Sequence, residues 1–193
     1  IHVLEKDPIP GGACDGYKYQ DIGYVMRGGR EMDNHFECMW DLFRSIPSIE
    51  DENVTVLDEY YWLNKHDPNY SLCRATVNCG EDAHTDGKFG LSDKGAMEIL
   101  KLFMTPDEQL YDKKITDFFD DEVLNTNFWL YWRTMFAFEN WHSALEMKRY
   151  LQRYIHHIGG LPDFTALRFT RYNQYESMIL PMVKYLESYG VQF

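Results

Sequence analysis

Apolar residues recur every three or four positions along much of the chain, which is the spacing of one face of an amphipathic α-helix. Met97, Leu100 and Phe103 form one such stripe. In a different predicted helix, over residues 54–63, the preceding residue Asn53 is a candidate N-cap. The patterns predict helices over residues 35–45, 54–63, 92–104, 127–138, 141–158 and 178–189.

Strand signals are few and short by comparison. They predict strands over residues 1–5, 24–27, 71–76 and 167–170. Few strands among many helices indicate a helix-rich α/β protein with a short sheet. The chain carries no repeat, low-complexity tract or Gly/Ser linker, so it is expected to be compact. Because both ends lie in extended apolar runs, we expect the termini to be truncated inside strands of a larger protein.

Composition excludes several classes of protein. The 193 residues are 45% apolar and carry 19 Lys and Arg against 31 Asp and Glu, a net charge of −12. That charge repels a phosphate backbone, so no nucleic-acid partner is expected. The sequence contains no uncharged apolar run of about eighteen residues, and its start does not resemble a signal peptide, so a cytoplasmic location is predicted.

The four cysteines show no metal-binding spacing. Cys73, Cys79 and His84 lie close in sequence, but no second pair of ligands follows them. Reduced thiols are therefore the favoured interpretation, and no metal site is predicted.

The first chemical candidate is Glu5, which ends the predicted first strand shortly before Gly11 and Gly12. An acid at the end of the second strand of a dinucleotide-binding fold accepts hydrogen bonds from the adenosine ribose. The phosphate loop of that fold would precede Glu5 by about twenty residues, outside this chain. Taken alone, the motif favours the simpler alternative, an exposed carboxylate at the end of a strand.

The second candidate lies in residues 27–32, with the sequence RGGREM. Gly28 and Gly29 allow the main chain to approach a flat ligand, and Arg30 supplies an anion-binding fork. Arg27 and Arg30 of the same block favour a charged Glu31, which can hold or deprotonate a water molecule if it faces a cavity. A surface turn with solvated ion pairs is an equally weighted alternative.

The third candidate is the aromatic segment that contains Tyr150, His156 and His157. An aromatic stripe at helical spacing usually belongs to a core. A phenol is protonated at neutral pH, however, so Tyr150 can donate a proton if its hydroxyl faces an apolar cavity. The two histidines point in different directions on a helix, so at most one easily shares a site with Tyr150. A packed or solvent-facing histidine is favoured over a ligand.

Several longer blocks carry a more specific signal than any one motif. They are residues 3–6 (VLEK) with 10–12 (PGG), 27–32 (RGGREM), 34–38 (NHFEC), 40–43 (WDLF), 82–87 (DAHTDG), 127–132 (NFWLYW), 138–144 (FENWHSA) and 172–177 (YNQYES). Together these blocks closely resemble the oleate hydratase family, formerly called myosin-cross-reactive antigens. The resemblance covers essentially the whole chain.

The resemblance implies a bacterial FAD-dependent hydratase that adds water to the cis double bond of an unsaturated fatty acid. The typical reaction converts oleate into 10-hydroxystearate without net redox change, and linoleate is a related substrate. By the same resemblance Glu31 activates water and Tyr150 protonates the alkene. Gln174 and its neighbour Asn173 are the implied substrate-binding residues.

The resemblance also implies a fold and a set of cofactor contacts. Residues 1–33 would belong to a Rossmann-like FAD-binding domain, 34–170 to a helix-rich substrate region, and 171–193 would return to the FAD domain. Many relatives have serine where this chain has Ala13, which leaves only a main-chain amide there. The implied FAD-binding residues are Glu5, Gly12, Ala13, Gly28, Gly29 and Arg30.

Two other functions remain open at this stage. One is a flavin-dependent oxidoreductase, since many share the strand, acid and glycine opening. The other is a non-catalytic fatty-acid-binding or surface antigen protein. Family similarity predicts a homodimer of the full-length protein, and peripheral membrane contact, if made, is expected through segments outside this chain. This chain alone is not expected to bind FAD tightly.

Overall fold

The computed structural model describes residues 1–27, 31–68, 76–163, 165 and 167–193. The chain divides into two compact units: Ile1–Asn69 with Leu167–Phe193, and Tyr70–Ala166. The described parts are helix-rich, with two small antiparallel sheets of two strands each. This confirms the mixed, helix-rich α/β class. Along the described ranges, no helix is both long and apolar enough to cross a membrane.

In the described part of the first unit there are a hairpin, three α-helices and a π-helical turn. In the hairpin Gly16 pairs with Met26, and Tyr19 pairs with Gly23. The π-helical turn runs directly into the last helix. The elements are β1 (Gly16–Tyr19), β2 (Gly23–Met26), α1 (Glu37–Phe43), α2 (Val56–His66), the π-helical turn Tyr175–Ile179 and α7 (Leu180–Ser188).

The start of α2 shows a reciprocal cap. The Thr55 side chain accepts a hydrogen bond from the Asp58 amide, and the Asp58 side chain accepts one from the Thr55 amide. The predicted cap Asn53 is wrong by two positions, because its amide groups bond to the Asp51 carboxylate instead. Thr55 with an acid three residues later satisfies two free helix amides, which Asn53 alone could not.

The core of the first unit is built around a stacked pair. The Trp40 and Tyr60 rings lie 4.0 Å apart at 28°. The Trp40 indole donates to the Asp33 carbonyl at 2.8 Å, and the Tyr60 hydroxyl donates to Asn34 Oδ1 at 2.8 Å. Burial raises the pKa of Tyr60 well above its usual range. The other buried apolar residues of this core are Met32, Phe43, Ile46, Val56 and Met178.

Only one predicted strand is present nearly as expected: residues 24–27 overlap β2. The predicted strand over residues 1–5 forms a single parallel bridge, His2 to Gln192. Residues 167–170 likewise form one antiparallel bridge. Of residues 71–76, all but the last lie outside the described residues.

The described part of the second unit packs four α-helices, a 3-10 segment, two shorter 3-10 turns (Asp107–Gln109 and Ile115–Asp117) and a minimal hairpin around one large core. Its elements are β3 (Thr76–Val77), β4 (Glu81–Asp82), α3 (Asp93–Met104), α4 (Asp121–Leu124), α5 (Asn127–Phe136), α6 (Ala144–Tyr154) and the 3-10 segment Ile155–Gly160. The predicted helix 141–158 begins later because Ser143 caps it, its side chain accepting from the Glu146 amide. Thirteen core residues are buried: Leu102, Leu110, Ile115, Phe119, Val123, Phe128, Trp129, Trp132, Phe138, Ala144, Met147, Leu151 and Leu161.

A buried lysine ties α6 to the end of α3. The Lys148 ammonium donates to the Thr105 carbonyl at 2.7 Å and to Asp107 Oδ1 at 2.5 Å. Thr105 is the C-cap of α3, where free carbonyls carry partial negative charge. The lysine thus compensates its own burial by pairing with a carboxylate and a helix terminus.

Candidate functional site

Met32 is the point where two of the sequence blocks meet within the first unit. Its backbone forms two hydrogen bonds with Arg168, Met32 N to Arg168 O at 2.8 Å and Arg168 N to Met32 O at 3.0 Å. The Gln174 side-chain amide donates to the Met32 sulfur at 3.0 Å. Met32 itself is buried. The structure therefore brings the block that contains Glu31 into contact, through Met32, with the block that contains the predicted substrate residue Gln174.

Glu31 lies exposed at the start of this paired segment. Over the described ranges its carboxylate forms neither a hydrogen bond nor an ion pair. The predicted neighbours Gly28, Gly29 and Arg30 lie outside the described residues. A carboxylate with both oxygens available can accept hydrogen bonds from water, which its predicted role requires.

The glycine loop contacts the π-helical turn. Gly11 has a φ of +107°, and a Cβ there would lie 2.9 Å from Ile179 Cγ2. Only glycine therefore allows both this backbone conformation and this contact. Gly12 has a φ of +54°, and apart from its two chain neighbours no described residue places a heavy atom within 4 Å of the position that a Cβ would take. Ala13 follows in the short 3-10 turn Gly12–Cys14. In this loop Gly11 is therefore packed against Ile179, whereas Gly12 has open space at its Cβ position.

The block 172–177 is anchored by its own hydrogen bonds. The Tyr172 amide donates to Ser177 Oγ at 3.0 Å, and the Ser177 amide donates to the Asn173 carbonyl at 3.0 Å. Asn173 also lies beside β1, since a Cβ on Gly16 would be 3.5 Å from its Nδ2. Burial, followed by the charge of Asp15, raises the pKa of Tyr175. The predicted substrate residues thus sit on a fixed turn against the hairpin.

Asn64 fixes the segment that follows Arg168. Its side-chain amide donates to the Phe169 carbonyl at 2.9 Å and accepts from the Phe169 amide at 3.2 Å. The side chain therefore satisfies the same backbone groups that a neighbouring strand would satisfy. Through this contact α2 supports the chain segment that pairs with Met32.

Glu5 is exposed, and its Oε1 accepts a hydrogen bond from the Asp7 amide at 3.1 Å. The segment before it is held by Gln192, whose carbonyl accepts from Val3 N at 2.8 Å. The ribose-binding role of Glu5 stays a prediction. The thiols of Cys14, Cys38 and Cys79 are free, and Cys73 lies outside the described residues.

Tyr150 belongs to the second unit, on α6, and is 37% exposed. Its ring contacts Phe136 and Phe138, at centroid distances of 5.6 Å and 5.1 Å. Within the described ranges its hydroxyl forms no hydrogen bond, so the phenol is free to act as a donor. His156 and His157 lie in the following 3-10 segment, with their rings 4.3 Å apart. The joint action of Tyr150 and Glu31 stays a prediction.

Sequence reasoning missed the parts of the site that depend on contacts between distant segments. The sequence does not indicate the contacts of Met32 with Arg168 and Gln174, or the contact of Ile179 with Gly11. The π-helical turn has no simple sequence signal, although such turns are frequent at functional sites. The positive φ of Gly11 was the one feature that the pair of adjacent glycines could have indicated.

Comparison with known proteins places these blocks in one family. A profile of the MCRA family matches residues 1–193. The oleate hydratase of Streptococcus pyogenes serotype M49 (strain NZ131) is 53% identical over 191 residues, covering 99% of this chain and 32% of the relative.

A second relative is more distant. The linoleate hydratase of Lactiplantibacillus plantarum is 34% identical over 177 residues, covering 89% of this chain and 31% of the relative. The chain thus spans about a third of the length of the curated relatives it matches. Since the profile extends over the whole chain, the chain belongs to the MCRA family.

Proposed function

We propose that the full-length protein carrying this chain hydrates the cis double bond of unsaturated fatty acids, converting oleate into 10-hydroxystearate. The observation that carries the proposal is the 53% identity to a streptococcal oleate hydratase along 99% of the chain. The likeness to a linoleate hydratase supports the same reaction on a second substrate. The hydrogen bond from the Gln174 amide to the Met32 sulfur, one residue along the chain from Glu31, supports the proposal.

The proposed cofactor is FAD, held in part by residues 1–33 as a portion of a Rossmann-like domain, with 34–170 as the substrate region and 171–193 returning to the FAD domain. The glycine loop fits such a group, because Gly12 leaves its main chain open to a flat ring or a phosphate. The proposed FAD-binding residues are Glu5, Gly12, Ala13, Gly28, Gly29 and Arg30. Because hydration involves no net redox change, bound flavin would leave the reaction in the redox state in which it entered, and these residues would hold it as part of the wall of the site.

The proposed chemistry needs two groups from this chain. The Tyr150 phenol donates its proton to one alkene carbon, and the positive charge that develops on the other carbon is stabilised by the Glu31 carboxylate. Glu31 accepts a proton from the water molecule that attacks that carbon. Returning this proton to the Tyr150 phenolate restores both groups, so the net addition is one water.

Gln174 and Asn173 are proposed to contact the fatty acid. The Gln174 amide is fixed on the Met32 sulfur, one residue from Glu31, so a substrate group bound there lies near the attacking water. Because a phenol is a weak acid, orientation has to supply most of the acceleration. Gln174, held on the Met32 sulfur, is proposed to contribute to that orientation.

We further propose a homodimeric, cytoplasmic protein that contacts membranes through segments outside this chain. Fatty acids partition into membranes, and the net charge of −12 gives this chain no general attraction to anionic lipid.

The test uses the purified full-length protein with oleate, and then linoleate, in water labelled with oxygen-18. Mass spectrometry is expected to show a hydroxy fatty acid that contains the label. Anaerobic incubation with recording of the flavin absorbance is the companion measurement. Stoichiometric bleaching of the flavin would instead support an oxidoreductase, and binding of fatty acid without incorporation of label would support a non-catalytic binding protein.

A further inference from the structure

Two phenylalanines converge on the Tyr150 ring from the end of α5. Phe136 is the last residue of that helix, and its ring meets the Tyr150 ring at 5.6 Å and 67°. Phe138 meets the same ring at 5.1 Å and 85°. Both are edge-to-face arrangements, which aromatic pairs prefer. Tyr150, which is 37% exposed, is therefore held by ring contacts on its buried side.

The residue between the two phenylalanines has an uncommon backbone conformation. Ala137 lies at φ 55° and ψ 36°, in the left-handed region. Glycine and asparagine usually occupy this helix-ending position, because a Cβ is disfavoured there. Where a non-glycine residue keeps such a conformation, the surrounding contacts over-determine it. Here the left-handed turn ends the helix between Phe136 and Phe138, and both reach Tyr150.

Phe138 is fixed on its other sides. It is only 3% exposed, and its ring lies 6.3 Å from Trp132 and 5.8 Å from His142. His142 is itself fixed, because its Nδ1 accepts a hydrogen bond from the Glu139 amide at 3.2 Å. A side chain with contacts on several sides transmits its own position to the ring it touches.

The segment after Phe138 is anchored to α5 by polar contacts. Arg133 donates to the Glu139 carboxylate at 2.7 Å, and the Trp129 indole donates to Asn140 Oδ1 at 2.8 Å. These bonds hold both residues that follow Phe138 against the preceding helix. The left-handed turn at Ala137 is thus held by ring contacts of the two phenylalanines beside it and by hydrogen bonds of the two residues after Phe138.

We propose that Phe138, together with Phe136, is a positioning residue for hydration: it holds the Tyr150 ring so that the hydroxyl points at the alkene. This inference rests on the proposed role of Tyr150. The hydroxyl forms no hydrogen bond over the described residues, so ring packing decides where it points. Small displacements of a reacting group lower the rate steeply, which makes the packing functional as well as structural.

The experiment compares Phe138→Leu with Phe128→Leu in the full-length protein with oleate. Phe128 lies on α5 in the same core, is similarly buried, and contacts Phe89 and Trp132 rather than Tyr150. Both variants are expected to lower Tm. Only Phe138→Leu is expected to lower kcat, by about tenfold or more, with KM within about twofold of the parent value.

A spectroscopic readout separates positioning from general loss of stability. With 3-fluorotyrosine at position 150, fluorine NMR reports the ring's environment without need of turnover. Phe138→Leu is expected to shift and narrow the fluorine signal as the ring gains freedom, whereas Phe128→Leu is expected to leave it in place. Phe136→Leu, at a half-buried position, replaces Phe138→Leu if the latter does not fold.

The outcomes are distinguishable. Equal kcat values for Phe138→Leu and Phe128→Leu in an active protein overturn the inference and leave the proposed function standing. A lower kcat with an unmoved fluorine signal also overturns it, because Tyr150 would then not have been displaced. Absence of hydroxy fatty acid from the unsubstituted protein overturns the proposed function and this inference together.

Discussion

Glu31 in the first unit and Tyr150 in the second are held by different kinds of interaction. Next to Glu31, Met32 is fixed by two backbone hydrogen bonds to Arg168 and by the Gln174 amide. Tyr150 is held by edge-to-face contacts with Phe136 and Phe138, and its hydroxyl forms no hydrogen bond with the described residues. Hydrogen bonds between distant segments tolerate few changes in the backbone, whereas ring packing responds to side-chain volume and shape. Different substitutions should therefore displace the Glu31 carboxylate and the Tyr150 phenol.

The largest effect is expected from the two groups themselves. Glu31→Gln and Tyr150→Phe in the full-length protein should each lower kcat for oleate by about 10²–10⁴-fold, since each removes one proton-transferring group. Tm should change little, because both residues are at least partly exposed. Rates of product formation measured by mass spectrometry give the comparison. Near-parental turnover by either variant refutes the role of that residue.

A large-to-small change in the second core tests how far that unit depends on packing. Leu151 is fully buried on α6, so Leu151→Ala should lower the free energy of unfolding by about 2–5 kcal/mol. Leu100→Ala, at a half-exposed position on α3, is the matched control and should cost about 1 kcal/mol or less. Denaturant titration measures both. Equal losses would show that the core is not the main support of α6.

Glycine substitutions in the first unit test how far its loop depends on backbone conformation. Gly11→Ala should destabilise by about 1–3 kcal/mol, because its Cβ would overlap Ile179 and its φ is left-handed. Gly12→Ala shares the left-handed φ but has open space, so about 1 kcal/mol is expected. Thermal unfolding of the two variants isolates the Ile179 contact. If Gly12→Ala proves the more damaging, the glycine loop does not pack as described.

The smallest effect concerns pH. The hydrogen bond from Lys148, followed by burial acting against it, leaves the pKa of Asp107 below its ordinary value of 3.8. The carboxylate therefore contributes stability that is present above that value and is lost as the pH falls through the lower folded pKa.

Asp107→Asn should accordingly flatten the loss of Tm on acidification from about pH 5 to about pH 2. Asp112→Asn, at an exposed position nearby, is the control and should leave the slope unchanged. An unaltered acid slope in Asp107→Asn would show that the Lys148 pair does not couple stability to pH.

The helices were predictable because a buried stripe repeats locally. Residues 92–104 were matched within one residue, since Ser92 caps the helix and the apolar stripe reaches Met104. The segment 127–138 was predicted two residues too long. The helix ends where Ala137 adopts a left-handed conformation, which the presence of an alanine does not predict.

The strands and the site geometry were less predictable, for a physical reason. The strand β1 was missed because Tyr17 and Tyr19 are half exposed and the strand pairs only with its neighbour in the hairpin. The pairing of Met32 with Arg168 joins positions far apart in sequence, which periodicity cannot report. The predicted roles of Glu31 in activating water and of Tyr150 in protonating the alkene rest on resemblance to a family, because no local pattern specifies them.

The bridge between Met32 and Arg168 has a consequence for synthesis on the ribosome. All of the second unit, Tyr70–Ala166, is translated between these two residues. The nascent first unit therefore waits with this pairing unmade until the whole insertion has emerged, while the second unit, whose chain is continuous, is free to fold first. The backbone pairing beside Glu31 therefore forms only after the whole second unit has been translated.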